Sequence, residues 1–185
     1  YGERVRAFQQ KMPHHVHVVN AYGPTECTVC ATMHKVSGEL PAHIVNVPIG
    51  RPINNYEVWI MNDQQMPCPV GVPGEMYIST VGIAKGYLNQ PDKTAAAFVP
   101  HPNGGDEKLY RSGDLAKLLP DGTIEYVGRR DSQIKIRGHR IEIGEIEDNL
   151  NKYEAIQDAV VVAKKDASNQ NMLVAYFTTS DGSKL

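Results

Sequence analysis

Asp114 and Arg129 stand at the two ends of a predicted β-hairpin. The runs 115–119 and 123–127 alternate around an Asp121-Gly122 turn, a strong hairpin pattern. A two-residue turn sets Asp114 across from Arg129, where both strands leave the sheet. A carboxylate and a guanidinium meeting there suit a polar ligand. They equally suit an edge ion pair worth under about 1 kcal/mol. Tyr126 brings an aromatic ring to the same segment. Strict alternation puts Tyr126 and Arg129 on opposite faces of the strand. A backbone irregularity at Gly128 would bring both to one ligand.

A second group with chemical potential follows the Gly23-Pro24 turn, where Thr25 and Glu26 offer a hydroxyl and a carboxylate. Alone, the pair reads as a solvated turn. Cys27 and Cys30 form a C-x-x-C, but no second pair of ligands lies at zinc spacing. Their neighbours Thr28, Val29, Ala31 and Thr32 read as a buried strand, so metal or redox chemistry is not expected.

The elements that position these groups fall into three textures. Residues 1–46 read as the end of an α/β layer: a helix from Val5 to Met12, a strand at Val16–Val19, a loop, and a strand from Thr28 to Met33. Residues 47–130 hold short β-rich runs (57–61, 75–79, 115–119, 123–127) between Pro- and Gly-rich turns, the pattern of a small barrel or sandwich. A helix is predicted from about Asn89 to Phe98. Residues 131–185 read as a hairpin around Gly138-His139, a helix opening at Gly144, and strands at 159–163 and 172–178, a small α+β unit. The 185 residues carry a net charge of −2, which implies no basic surface for nucleic acid. No apolar run approaches the ~20 residues of a membrane helix, and the N-terminal residues lack a signal-peptide core. Three cysteines argue against a disulfide scaffold. The expected setting is soluble, reducing and cytoplasmic.

Taken in order, Asn20-Ala21-Tyr22-Gly23-Pro24-Thr25-Glu26, Gly74-Glu75-Met76-Tyr77-Ile78, Gly86-Tyr87-Leu88, Tyr110-Arg111-Ser112-Gly113-Asp114-Leu115 and the run from Gly128 through Glu147 resemble the successive core motifs of adenylate-forming (AMP-binding) enzymes. Within that superfamily they look most like the adenylation domains of nonribosomal peptide synthetases. The resemblance spans residues 20 to about 147. It implies an α/β tail plus a small distorted β-barrel, followed by a small α+β C-terminal subdomain.

It also implies chemistry and roles. ATP and an amino acid give an aminoacyl-adenylate and pyrophosphate; a phosphopantetheine thiol on a peptidyl carrier domain then displaces AMP. Partners would be that carrier and the neighbouring synthetase domains. By position, Glu26 would hold Mg²⁺ and Thr25 would bond a phosphate oxygen. Asn20, Ala21, Tyr22 and Gly23 would border the nucleotide, with Tyr22 against the adenine and Asn20 on its amino group. Asp114 would take the ribose hydroxyls, Arg129 the ribose or phosphate, and Tyr126 would close the adenine pocket. Ala21, Val29 and Cys30 match positions lining the side-chain pocket, with Tyr1 at another, and the small or apolar character of the first three suggests a neutral side chain. Asp131 occupies the hinge position, Lys135 resembles the motif lysine after it, and Gly138 the loop lining the pantetheine tunnel. The family's Gly-Gly-x-Gly stretch reads Ser79-Thr80-Val81-Gly82 here, and Ser112 stands where Thr is commoner. An acyl- or aryl-CoA ligase of the same superfamily and a non-catalytic scaffold of the same fold are the alternatives.

The resemblance places the phosphate loop and the ammonium-binding aspartate upstream of Tyr1, and the catalytic lysine beyond Leu185. The chain is therefore expected to be an excised piece, one chain of a split enzyme, or the part before an inserted domain. The purified 185-residue chain is predicted to show no amino-acid-dependent pyrophosphate exchange, and any measurable exchange would refute this.

Overall fold

The computed structural model describes residues 2–13, 15–130, 133–136, 139–166 and 171–179. Contacts divide the chain into two units, residues 1–130 and 131–185.

The first unit opens with α1 (Gly2–Gln9). A three-stranded antiparallel sheet follows: β1 (Val18–Tyr22), β2 (Thr32–Val36) and β3 (Arg51–Pro52), with a 3-10 helix at Thr25–Cys27. The helix ends at Gln9 rather than Met12, and Phe8 and Met12 stay largely exposed. Its anchors are polar. The Arg6 guanidinium donates to the Pro41 and Ile44 carbonyls, and Gln9 bonds both Gly38 and Leu40. Val5 of the helix packs against the apolar cluster of Val36, Leu40 and Val47, beside Val18 and Ile44.

The strand expected from Thr28 to Met33 does not form. Thr28 and Val29 take left-handed backbone, φ 57° and 72°, which no strand admits. Pairing starts only at Thr32, opposite Tyr22. β1 correspondingly runs on through Asn20, Ala21 and Tyr22 instead of stopping at Val19.

The rest of the first unit is a curled five-stranded sheet of β4 (Tyr56–Met61), β5 (Gly74–Thr80), β6 (Phe98–Pro100), β7 (Lys108–Leu118) and β8 (Ile124–Arg129). α2 (Pro91–Ala97) precedes β6, with Pro91 in the first turn, where a missing N–H costs nothing. β5 is buried along its whole length between β4 and β7. On its other edge, β7 pairs with β6 through residues 108–110 and with β8 through residues 114–118. The strand thus changes partner between Tyr110 and Asp114. Met76, Ile78, Phe98, Tyr110, Ala116 and Ile124 form the core, with Cys27 and Ala31 packed into it from the turn after β1.

One dipeptide joins the two sheets. Ile49 donates to the Ile124 carbonyl at 2.8 Å, Ile124 donates to the Gly50 carbonyl at 2.7 Å, and the buried Thr32 hydroxyl donates to the Ile49 carbonyl at 2.8 Å. Gly50 has φ 88°, and a Cβ there would lie 1.9 Å from the Met33 carbonyl oxygen.

The second unit holds β9 (Ile134–Ile136) paired with β10 (His139–Ile141), then α3 (Ile143–Leu150), and β11 (Ile156–Lys165) paired with β12 (Asn171–Thr179). α3 docks on β11, where the Glu147 carboxylate accepts the Val161 N–H at 2.7 Å, and Ile143, Ala159 and Val161 are buried. Among the described residues, no helix is long and apolar enough to cross a membrane.

Gly50→Ala is expected to destabilise the first unit by about 2–4 kcal/mol, since it adds both a left-handed penalty and a backbone clash. Urea denaturation followed by Trp59 fluorescence measures it; an unchanged midpoint would show that the sheets do not depend on this contact.

Candidate functional site

The site is built at the point where β7 changes partner. Arg111 pairs with Tyr77 and Leu115 with Glu75, so Ser112, Gly113 and Asp114 face Met76 alone. This bulge needs a left-handed residue, and Gly113 supplies it at φ 71°. Ser112 fills the gap in the ladder. Its hydroxyl donates to the Met76 carbonyl at 2.6 Å and accepts the Asp114 N–H at 3.1 Å.

The facing strand carries two compensating irregularities. The hairpin loop is Pro120-Asp121-Gly122, closed by Leu119 N–H to the Thr123 carbonyl at 2.8 Å, with Gly122 at φ 79°. That is one residue longer than the two-residue turn the sequence predicts, and it shifts the register by one. The pairing then jumps from Ala116–Tyr126 to Leu115–Gly128, leaving Val127 as an extra residue. The bulge restores the pairing of Asp114 with Arg129. It also carries Tyr126 and Arg129 onto one face, which strict alternation forbids.

Four side chains converge as a result. Arg129 Nη1 donates to Asp114 Oδ1 at 3.0 Å and to the Ser112 carbonyl at 2.7 Å. The Tyr126 hydroxyl reaches Oδ1 at 3.4 Å, and the Tyr22 hydroxyl donates to Oδ2. The two tyrosine rings lie 6.2 Å apart at 35°. Asp114 is 8% exposed, so its charge is met by a guanidinium and phenols instead of bulk water. Burial, and then the Asp114 charge, push the Tyr22 hydroxyl far above the ordinary phenol pKa of 10.0.

The remaining predicted residues sort by place. Asn20 shares the inward face of β1 with Tyr22. Its Nδ2 donates to the Val47 and Pro48 carbonyls, which leaves its oxygen as the acceptor for a ligand. Ala21 lies on the opposite face. Gly23 packs against the returning chain, where a Cβ would meet the Val29 oxygen at 2.5 Å. Thr25 is exposed and opens the 3-10 helix. Glu26 is buried, and its Oε1 accepts the Tyr87 hydroxyl at 2.6 Å. Val29 is exposed, and the Cys30 thiol points to the Thr32 carbonyl at 3.6 Å. Cys27 lies fully in the core, where burial, and then the Glu26 charge, push its thiol up to about 12. Lys135 stands in β9 opposite Arg140. Tyr1, Asp131 and Gly138 lie outside the described residues. Among the described residues, no three acidic, His or Cys side chains gather as a metal site. A cavity of about 380 Å³ lies elsewhere, beside α1, lined by Phe8, Met12 and Val18 among others but by none of these residues.

Sequence reasoning passed over three contributors. Tyr87 belongs to the Gly86-Tyr87-Leu88 motif, but nothing local shows that its hydroxyl meets Glu26. Ser112 carried a signal, a hydroxyl residue before Gly-Asp. Glu75, 3% exposed, holds Arg111 through two bonds of 2.9 and 3.0 Å and Arg130 at 3.0 Å. Its cue was a charged side chain in a strand that carries no other charge.

The model of the AMP-binding enzyme family matches residues 2–88. Bacitracin synthase 3 of Bacillus licheniformis is 50% identical over 172 residues, 93% of this chain. Surfactin synthase subunit 3 of Bacillus subtilis (strain 168) is 52% identical over 159 residues, 86% of this chain. The solved structure of PA1221, an NRPS protein containing adenylation and PCP domains, superposes with a TM-score of 0.81 at 28% identity over 99% of the chain. This chain belongs to the AMP-binding enzyme family. Within the family it matches the adenylation domains of nonribosomal peptide synthetases. It spans 3% of the bacitracin synthase, 12% of the surfactin synthase subunit and 37% of PA1221. Its fold is the corresponding part of the adenylate-forming fold: an α/β tail, a distorted barrel and an α+β subdomain.

The raised pKa of Tyr22 gives a testable sign. The folded chain keeps the Tyr22 proton at pH values where the unfolded chain loses it. The stabilisation is present below pH 10.0 and is lost as pH rises beyond it. Tyr22→Phe is expected to flatten the fall of unfolding free energy above about pH 10, measured by urea titration across that range. An identical slope in both proteins would sink the assignment.

Proposed function

We propose that this chain forms the part of an adenylation domain that holds the nucleotide, and that the whole domain is an ATP-dependent acid–thiol ligase. In the first half-reaction an amino-acid carboxylate oxygen attacks the α-phosphorus of ATP, and pyrophosphate leaves. In the second, a phosphopantetheine thiol on a carrier domain attacks the acyl carbon, AMP leaves, and the thiol proton passes to solvent. Such displacements depend on positioning and charge neutralisation more than on covalent participation by the protein.

The convergence of Tyr22, Tyr126 and Arg129 on Asp114 carries this reading. A carboxylate offers about four lone-pair sites. Oδ2 receives Tyr22, and Oδ1 receives Arg129 and the longer Tyr126 bond, so a ribose diol can be accepted by exchange with a phenol. Tyr22 and Tyr126 would then flank the base, and the Asn20 oxygen would accept from the adenine amino group. Arg129 would neutralise phosphate or bond the ribose.

Glu26 is a hard oxygen donor just after β1, and Mg²⁺ is commonly bound by one or two carboxylates with substrate phosphates completing the shell. When bound there, the ion would neutralise phosphate charge. The Tyr87 bond holds Glu26 in one orientation for that task. Thr25 would bond a phosphate oxygen. Ala21, Val29 and Cys30 would border the acyl side chain, and their character suits a neutral, apolar one. Residues 131–185 would form the moving subdomain, with Asp131 at the hinge, Lys135 fixing one orientation and Gly138 lining the pantetheine path.

The test is Asp114→Asn in the parent adenylation protein, which keeps the size of the side chain and removes its charge. The expected outcome is a higher KM for ATP and about a hundredfold loss of amino-acid-dependent pyrophosphate exchange, with melting temperature retained. Unchanged ATP dependence would overturn the nucleotide assignment.

A further inference from the structure

The turn after the 3-10 helix is strained, and the strain has a specific restraint. Thr28 (φ 57°, ψ 55°) and Val29 (φ 72°) are consecutive β-branched residues in left-handed backbone, where a branched side chain is a genuine outlier. The Cys30 N–H donates to the Thr28 carbonyl at 2.9 Å, which makes Val29 the centre of a positive-φ γ-turn, the rare and strained form. Val29 is also 76% exposed, so core packing does not hold it there. Such backbone persists only when its surroundings over-determine it.

Locally the Val29 N–H donates to the Pro24 carbonyl at 3.3 Å and the Ala31 N–H to the Tyr22 carbonyl at 2.8 Å, and a chain of hydrogen bonds ties the turn to distant residues. The Thr28 hydroxyl donates to the Gly82 carbonyl at 2.6 Å, a tie across 54 residues. Gly82 is held in turn, because its N–H donates to the Thr80 hydroxyl at 3.1 Å. A Cβ on Gly82 would stand 3.0 Å from the Thr28 hydroxyl, so a larger residue there would press on the bond. Thr80 lies in the Ser79-Thr80-Val81-Gly82 stretch that departs from the family's Gly-Gly-x-Gly pattern. A glycine at position 80 has no hydroxyl to offer, so the departure adds a link.

We propose that Thr80, Gly82 and Thr28 form a strut that fixes Val29 in its strained turn, and that Thr28 is a positioning residue for acyl side-chain selection. The inference rests on the reading of Val29 as a pocket residue. With the strut intact, Val29 presents its methyl groups in one place and reads the size of an apolar side chain. Once the strut is cut, the turn relaxes toward unstrained backbone and the wall moves.

Four variants of the parent adenylation protein test this: Thr28→Val, Thr28→Ser, Thr80→Gly and Val29→Phe. Pyrophosphate exchange is measured with alanine, valine, leucine and phenylalanine, with separate KM values for amino acid and ATP. Thr28→Val keeps the branched shape, removes the bond and presses a methyl group on the Gly82 carbonyl, while Thr80→Gly loosens the strut without that contact. It should raise the KM of the preferred amino acid about tenfold and flatten discrimination, with the ATP KM unchanged. Thr28→Ser should restore both, and Thr80→Gly should shift both in the same direction by about threefold. Val29→Phe should move preference to smaller side chains. If Val29→Phe shifts preference but Thr28→Val and Thr80→Gly do not, the strut is overturned and the pocket reading stands. If Val29→Phe shifts nothing, the pocket reading fails and the proposal fails with it. If Thr28→Val does not fold, Thr80→Gly decides the question.

Discussion

A nearly buried carboxylate has to be met by donors, and that requirement shapes the first unit. Asp114 is 8% exposed, and its side-chain partners come from two stretches of chain distant in sequence: Tyr22 in β1, and Tyr126 and Arg129 in β8. Leaving such a charge with one partner removed costs several kcal/mol. β7 therefore bulges at Ser112–Asp114, Gly113 takes a left-handed conformation there, and β8 gains an extra residue at Val127. These are ladder defects taken singly. Together they bring two phenols and a guanidinium to one carboxylate where β7 has left β6 and its pairing with β8 begins.

The legible and illegible parts of this arrangement separate along physical lines. The pairing of Asp114 with Arg129 could be read from the alternation around Asp121-Gly122, although the reading assumed a two-residue turn. The loop is one residue longer, and Val127 cancels the difference. Nothing local in a run such as Tyr126-Val127-Gly128 says which residue will be extra, because a bulge is decided by what the partner strand must reach. The strand expected at Thr28–Met33 failed for a related reason. Val29, Ala31 and Thr32 have strand propensity, yet propensity yields to tertiary context, and the chain must fold back over Gly23 so that Ala31 can bond the Tyr22 carbonyl. Motifs in order were enough to identify the family. The bond between Tyr87 and Glu26 was not readable, since it joins residues 61 positions apart through a phenol that could equally be core.

Charge is arranged on a second place as well. Glu75 in buried β5 receives Arg111 and Arg130, and Arg130 also meets Asp63 at 2.9 Å. Charge-assisted, partly bidentate contacts of this kind are directional and stronger than exposed ion pairs. They fix two arginines flanking the Asp114 bulge from outside the core. Arg111 precedes the bulge on β7, and Arg130 follows Arg129 on the opposing chain.

Arg130 is also the last residue of the first unit. Its N–H bonds the Gly113 carbonyl at 2.8 Å, and its side chain is held by Glu75 and Asp63, all within that unit. The chain is consequently pinned right up to the boundary. A recombinant chimaera spliced after Arg130 would carry the donor's intact anchor into its new setting, whereas a splice a few residues earlier would sever it.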